Sequence, residues 1–385
     1  MANNVNDHIA QNLCVGCGSC AAKCPKNCIS MQEGDKGFLY PFVNVSECVD
    51  CGLCVKVCPT EYQLETFEPQ SVYAARLKDI DLLQSATSGG AFTALAIGVL
   101  KEAGLVCGAS WNNAMEVSHV CISSIDELHR LQGSKYVQSS SYNCFNTIKN
   151  ALNDGVKVLY SGTGCQVAGL RSFLQKDYKN LFTIELVCHG VPSPGLFRKY
   201  IEWLSTKTGG KVTSFKFRSK HRRPTGEHSE FFYICNNKEY MGRSYEDPYY
   251  GSFLQGKTLR PSCYNCLFKH KKRVADITLG DFWGIEKSHP SFPTMNGHSL
   301  VIVNTDKGGI LINNVSESLD LVESCWFEAV LRNHSLIKTV LPPNNDFNLN
   351  SLTLFDKDLA VKISFKDKIK NRIPWKMKWI LKKYL

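Results

Sequence analysis

Between residues 14 and 59 one cysteine pattern is written twice, and no other feature restricts this chain so tightly. The first copy is Cys14, Cys17, Cys20 and Cys24 with Pro25 directly after. The second is Cys48, Cys51, Cys54 and Cys58, followed by Pro59. Both read C-x2-C-x2-C-x3-C-P, and each cysteine lies 34 residues from its counterpart. Soft thiolates spaced along one tight loop are ligands suited to iron. A disulfide framework or zinc is the competing reading. Zinc needs only one C-x2-C pair per half-site, and neither alternative accounts for the third cysteine and the proline of both copies.

The spacing matches the run that holds 4Fe-4S clusters in bacterial two-cluster ferredoxins, where the fourth cysteine of each copy ligates the other cluster. One cluster is therefore assigned to Cys14, Cys17, Cys20 and Cys58, and the other to Cys48, Cys51, Cys54 and Cys24. At 385 residues the chain is too long for such a module alone, and roughly two to three domains are expected. Eighteen cysteines would suit a secreted protein, but the polar N-terminus MANNVNDHIAQNL lacks the apolar stretch of a secretory signal. Thiols awaiting iron must stay reduced, so the cytosol is the expected compartment. The longest apolar run, Ala91–Leu100, is too short to span a bilayer. Net charge is +10, yet nine Lys/Arg against one acid fall in residues 362–385 and leave the body nearly neutral. A nucleic-acid partner is not expected.

Glu61–Ser71 reads as a linker punctuated by Pro69. Strands are expected at Val72–Leu77, Leu105–Ser110, Val117–Ser123, Val156–Tyr160, Phe182–Val187, Val212–Arg218, Glu230–Cys235, Ala275–Leu279 and Ser299–Asn304. Helices are expected at Gly90–Ala103, Ser141–Asn153, Gln166–Gln175, Pro194–Thr206 and Gly308–Ser316, the first preceded by Thr87 and Ser88 as caps. Val212–Met241 reads as an antiparallel insertion around Asn236-Asn237. The pattern predicts an α+β protein with an α/β-like body. Its expected units are a ferredoxin domain (1–66), a mixed α/β domain (72–340) and, after an Asn-rich linker, a basic tail (356–385).

Several stretches of the body could carry chemistry. SATSGGAFTAL (Ser85–Leu95) places small residues at a helix start, where free backbone N–H groups suit a phosphate such as a flavin pyrophosphate. Ordinary capping explains the same residues. GSKYVQS (Gly133–Ser139) offers a cation, a phenol and an amide for a flavin ring, or a polar surface turn. Cys165 opens a helix after a strand, a place that stabilises a thiolate, and reads as nucleophile, core residue or metal ligand. Cys188 also follows a strand, and Cys263-x2-Cys266 is half of a zinc site by spacing alone. Together these four supply the thiolates of a further 4Fe-4S cluster, an assignment that competes with scattered roles. Cys28, Cys107, Cys121, Cys144, Cys235 and Cys325 read as small core residues.

SGGAFTAL, GSKYVQS, GTGCQVAGLR, CHGVPSP and the run from Cys263 through ADITLGDFWG resemble the coenzyme F420 hydrogenase/dehydrogenase β-subunit family over nearly all of residues 1–335. The resemblance implies an iron–sulfur flavoprotein that binds FAD and passes electrons between clusters and a two-electron substrate. It also implies that Thr87, Ser88, Gly89 and Gly90 contact FAD. Gly133, Ser134, Lys135, Tyr136, Gln138, Ser139, Thr163, Gly164 and Asp281 would complete the flavin site. Cys165, Cys188, Cys263 and Cys266 would hold the inner cluster. Lys135 and His189 are the candidate proton handlers, although a structural hydrogen bond explains His189 as well. One departure is Gly164, where the family's G-T-P-C-Q motif has proline.

Lys216–Arg223 and Lys269–Arg273 could meet an anionic substrate or form solvated loops. The tail interleaves its cations with Trp375, Trp379 and aliphatic residues, which suits peripheral contact with an anionic membrane, with a partner-docking segment as the alternative. The expected function is a cytosolic oxidoreductase working between a redox partner and an organic substrate. An electron-transfer adapter, or a redox scaffold serving surface-polysaccharide assembly, is the rival.

Overall fold

Long runs of buried residues, rather than a strict alternation, mark the strands at the centre of the molecule. The computed structural model describes residues 3–218, 220, 230–344, 346–361 and 377. Its strands are β1 (Ile29–Glu33), β2 (Leu39–Val43), β3 (Ser71–Leu77), β4 (Leu105–Trp111), β5 (Val117–Ile122), β6 (Val158–Thr163) and β7 (Leu181–Leu186). They continue as β8 (Val212–Lys216), β9 (Glu230–Cys235), β10 (Lys238–Arg243), β11 (Ile277–Asp281), β12 (Ser299–Val303) and β13 (Leu319–Ser324).

Eight of these strands form one mixed sheet in the order β13-β3-β12-β11-β7-β6-β4-β5. Its centre, β11-β7-β6-β4, is parallel, and its flanks are antiparallel. Strand β12 is buried at every position, as a strand covered on both faces must be. Successive side chains divide between two cores: Val106 and Leu159 face the helices Ala91–Lys101 and Asp306–Val315, whereas Cys107, Val158 and Tyr160 face Phe145–Asn153 and Gly164–Leu174.

The expected insertion is a three-stranded antiparallel sheet, β10-β9-β8. Asn236 and Asn237 turn its hairpin with φ of 48° and 58°, the positive values that a two-residue loop of this hand requires. An aromatic core with Phe197, Tyr200, Phe215, Phe217, Tyr249 and Tyr250 lies beneath it.

The ferredoxin-type module keeps its internal repeat. Gly18 and Gly52 adopt φ of 74° and 69°, and each leads into a short helix, Ser19–Lys23 and Leu53–Lys56. The module is bolted to helix Gly164–Leu174. Ser19 Oγ donates to Gly169 O (2.8 Å), and Ser172 Oγ donates to Val57 O (2.8 Å). Gly169 permits that approach, since a Cβ there would stand 2.6 Å from the Cys17 Cβ.

Several expectations need correction. β6 and β11 begin two residues later than expected and run on through Thr163 and Asp281, so both motifs sit at strand ends. β1, β2 and β13 had no counterpart in the expected strands. Cys107 and Cys121 are not independent core residues: they stand opposite each other on β4 and β5, with Cα atoms 4.1 Å apart, and form a disulfide. Cys325 is exposed, while Cys144 and Cys235 are buried as expected. No helix of the described residues is long and apolar enough to cross a membrane. Apart from Met377, the basic tail from 362 onward lies outside the described residues.

Candidate electron-transfer and cofactor site

Each cysteine repeat folds so that its last member leans into the other's cage. Cys14, Cys17, Cys20 and Cys58 form one group, in which Cys14, Cys17 and Cys58 all bear electrostatically on Cys20. Burial pushes the Cys17 thiol up to about 12 and that of Cys20 well above its ordinary value. Protons must therefore leave when a metal binds. Ser19 Oγ lies 3.2 Å from Cys17 Sγ, and Thr60 Oγ1 lies 3.0 Å from Cys58 Sγ.

The second group, Cys24, Cys48, Cys51 and Cys54, lines a pocket with Pro25, Ile29 and Val49. Cys51 is exposed, as are Val45 and Val49. Cys28 lines this pocket too, with its Sγ 3.4 Å from Cys24 Sγ. It is a fifth thiol at the cage rather than a plain core residue, because the bend after Pro25 returns the chain to the same pocket.

In the body, Cys165 starts the helix after β6 and Cys188 follows β7, so two neighbouring parallel strands deliver them to one edge. Cys263 ends the 3-10 turn Pro261–Cys263, and Cys266 lies just beyond it. Burial raises Cys165 well above its ordinary value, and the nearby thiols of Cys266, Cys188 and Cys263 add to this. The structure thus brings the four together. Burial also raises Cys188, against the opposing pull of Lys269. Among the described residues no three His, Cys, Asp or Glu side chains close on a single ion, here or in the ferredoxin-type cages.

Asp281 ends β11, in the same parallel set as β7. It accepts a hydrogen bond from Ser88 Oγ and pairs with Arg218 (Nη2 to Oδ1, 3.2 Å). Lys220 Nζ donates to Leu83 O and Ser88 O, both at 2.6 Å. Burial, then the charge of Arg218, lowers Lys220 to about 7. Burial raises Tyr136, which also feels Arg218 and Asp281, so the 133–139 loop reaches the same place. Gly89 fits because a Cβ there would stand 2.2 Å from Ala75 O, and Gly90 takes φ of 76° to start the helix. Thr87 O accepts from Gly90 N.

The remaining expected site residues make contacts of their own. The Lys135 ammonium donates to the carbonyls of Arg130, Leu131, Gln132 and Gly133, and burial lowers it to about 7. Around Gly133, where φ is 83°, a Cβ would meet open space, and Ser134 follows it. Gln138 Nε2 donates to Val15 O in the ferredoxin loop, and Ser139 accepts from Gln166 Nε2. Thr163 and Gln166 form the capping box of the Cys165 helix, with Gly164 as its first residue. His189 Nε2 lies 3.2 Å from Phe253 O, the structural contact anticipated for it. Arg218 and Lys220 were visible only as part of a basic run. Arg260, buried against Cys14, carried no signal in the sequence at all.

Family models described as coenzyme F420 hydrogenase/dehydrogenase, beta subunit N-term and C terminus match residues 72–144 and 155–324. The chain belongs to the coenzyme F420 hydrogenase/dehydrogenase β-subunit family. A 4Fe-4S dicluster domain model matches residues 13–62 of this family member, which makes it an iron–sulfur electron-transfer protein. No curated protein matches the chain. A solved structure it resembles is the xenon-derivatised F420-reducing NiFe hydrogenase complex from Methanosarcina barkeri. Identity is 16%, coverage is 71% of this chain and 92% of that one, and the TM-score is 0.49.

Proposed function

We propose that this β-subunit relative is an iron–sulfur flavoenzyme passing electrons between a redox partner and an anionic, two-electron organic substrate. One observation carries the reading. Leu279 pairs with Leu186, so Asp281 and Cys188 lie two residues beyond the same rung of adjacent parallel strands. The Ser88–Asp281–Arg218 cluster and the four body thiols therefore share the carboxyl edge of one sheet, where ligands of such sheets bind.

In this reading Cys165, Cys188, Cys263 and Cys266 hold a third 4Fe-4S cluster, and FAD lies against Ser88, Gly89, Gly90 and Tyr136. Bound there, FAD exchanges electrons singly with clusters and in pairs with a substrate. The chain's own residues supply the setting. Arg218 and Lys220 offer cations to the dinucleotide's phosphates, and an anion beside Lys220 would restore the charge that burial and Arg218 oppose. Asp281 holds Arg218 and Ser88 in place. The buried Cys17 and Cys20 put the first ferredoxin-type cluster against the body, and the exposed Cys51 leaves the second open to a partner. The working units are 1–66 and a body from 72, on whose aromatic core Phe347, Leu354, Phe355 and Leu359 also pack, with the basic residues from 362 as a surface contact.

The test is iron, acid-labile sulfide and flavin per chain after anaerobic purification. About twelve irons and one FAD are expected, with Arg218→Gln losing flavin but not iron. About eight irons with one FAD would remove the body cysteines as an intact cluster site. Eight irons and no flavin, after attempted reconstitution, would sink the enzyme reading and leave an electron-transfer adapter.

A further inference from the structure

Arg260 is 1% exposed and is the largest fully buried side chain among the described residues. Its guanidinium donates from Nε to Cys14 O (2.7 Å), from Nη1 to Gln138 Oε1 (2.9 Å) and from Nη2 to Leu39 O (3.0 Å). Nη2 also lies 3.5 Å from Cys14 Sγ. The rings of Tyr40 and Phe38 flank it at 4.4 and 5.4 Å. No carboxylate of the described residues pairs with it. It also bears electrostatically on Cys263. A buried cation without a carboxylate needs another counter-charge, and the nearest candidate is the sulfur of Cys14.

We propose that Arg260 is a positioning and tuning residue, a buried positive charge that makes the ferredoxin-type cluster on Cys14 easier to reduce than it would be without that charge and locks it against the body. A thiolate-bound cluster is anionic and gains negative charge on reduction, so a cation fixed in a low-dielectric setting favours the reduced form. The hydrogen bond to the ligand sulfur acts in the same direction. Among the described residues no equivalent buried cation touches the second cage, whose pocket is lined by its cysteines, Asn3, Lys26 and apolar residues, with Lys26 exposed. The two cages, alike in sequence, are thereby placed in unlike electrostatic surroundings. The proposal needs neither FAD nor the inner cluster, although a cluster held at Cys263 would feel Arg260 as well.

The experiment is an anaerobic potentiometric titration of the full chain, followed by EPR, on the wild type, Arg260→Gln and Arg260→Lys, with iron counted in each. In Arg260→Gln one ferredoxin-type signal is expected to lose at least tenfold in its reduced-to-oxidised ratio at a fixed potential, about 59 mV for one electron, while the other stays put. Arg260→Lys, which keeps the charge, should recover most of that loss. Unchanged ratios, equal movement of both clusters, or the same loss in both variants would overturn the proposal. Should Arg260→Gln fail to hold iron, the wild type labelled with nitrogen-15 arginine decides: a hyperfine coupling to one reduced cluster is expected in pulsed EPR, and its absence is the contrary result. A wild type with well under about eight irons would refute the two-cluster reading itself, which separates that failure from this one.

Discussion

At the scale of single residues, Gly164 shows how a departure from a family's pattern can be weighed physically. It occupies the first position of its helix, where proline is at home because its missing N–H has no partner to lose. Thr163 before it is extended, at φ −74° and ψ 161°, as a residue preceding proline should be. A Cβ at 164 would stand 3.2 Å from Phe268 Cβ and 3.3 Å from Glu185 Oε2, tight contacts that small shifts relieve. Gly164→Pro is expected to stabilise the protein by about 0.5–1 kcal/mol, chiefly by restricting the unfolded chain. Thermal unfolding reads this, and a lower midpoint would show that the contact with Glu185 cannot give. Residue identities were legible where spacing carries chemistry, as in the two cysteine runs. They were not legible where chemistry comes from distant segments. Arg260 meets Cys14 across 246 positions of sequence, and Cys107 meets Cys121 only because the turn between β4 and β5 sets that register.

Among the elements, helix Gly164–Leu174 combines the most tasks. Its start carries Cys165, its middle receives the ferredoxin-type module at Gly169, and Arg171 ties its end to Glu65 O and Val274 O. Gly169→Ala would force the module off this seat, since the added methyl group meets both the Cβ and the Sγ of Cys17. The interlock should weaken by about 1–3 kcal/mol. Hydrogen exchange would then rise in Ser19–Lys23 and in the 61–71 linker while the large sheet stays protected; unchanged exchange at Ser19–Lys23 would mean that the seat adapts. The helix was readable from its capping residues, but its docking face was not, because small residues such as Gly169 and Ser172 carry no amphipathic signal. Strand β13 escaped for a related reason: LDLVES mixes acids with aliphatics, and only pairing with β3 makes it a strand.

For the whole molecule, strand order was the part that no local pattern could supply. The body's motifs are separated in sequence by whole strand–helix units, and the parallel arrangement of β6, β7 and β11 is what gathers them at one edge. The same arrangement leaves the two ferredoxin-type cages unequally sheltered. One is closed by the body through buried Cys17 and Cys20, while the other opens at Cys51 beside exposed Val49. Dioxygen can therefore reach one end of the relay long before the other. On brief exposure of the reduced protein to air, a single three-iron EPR signal from the cage at Cys51 is expected to appear first, with the cluster on Cys14, Cys17, Cys20 and Cys58 lost only later; simultaneous decay of both would mean that shelter by the body counts for little. In the proposed reading the opening that meets a redox partner also admits an oxidant, so the cage at Cys51 is expected to set how long this protein survives in air.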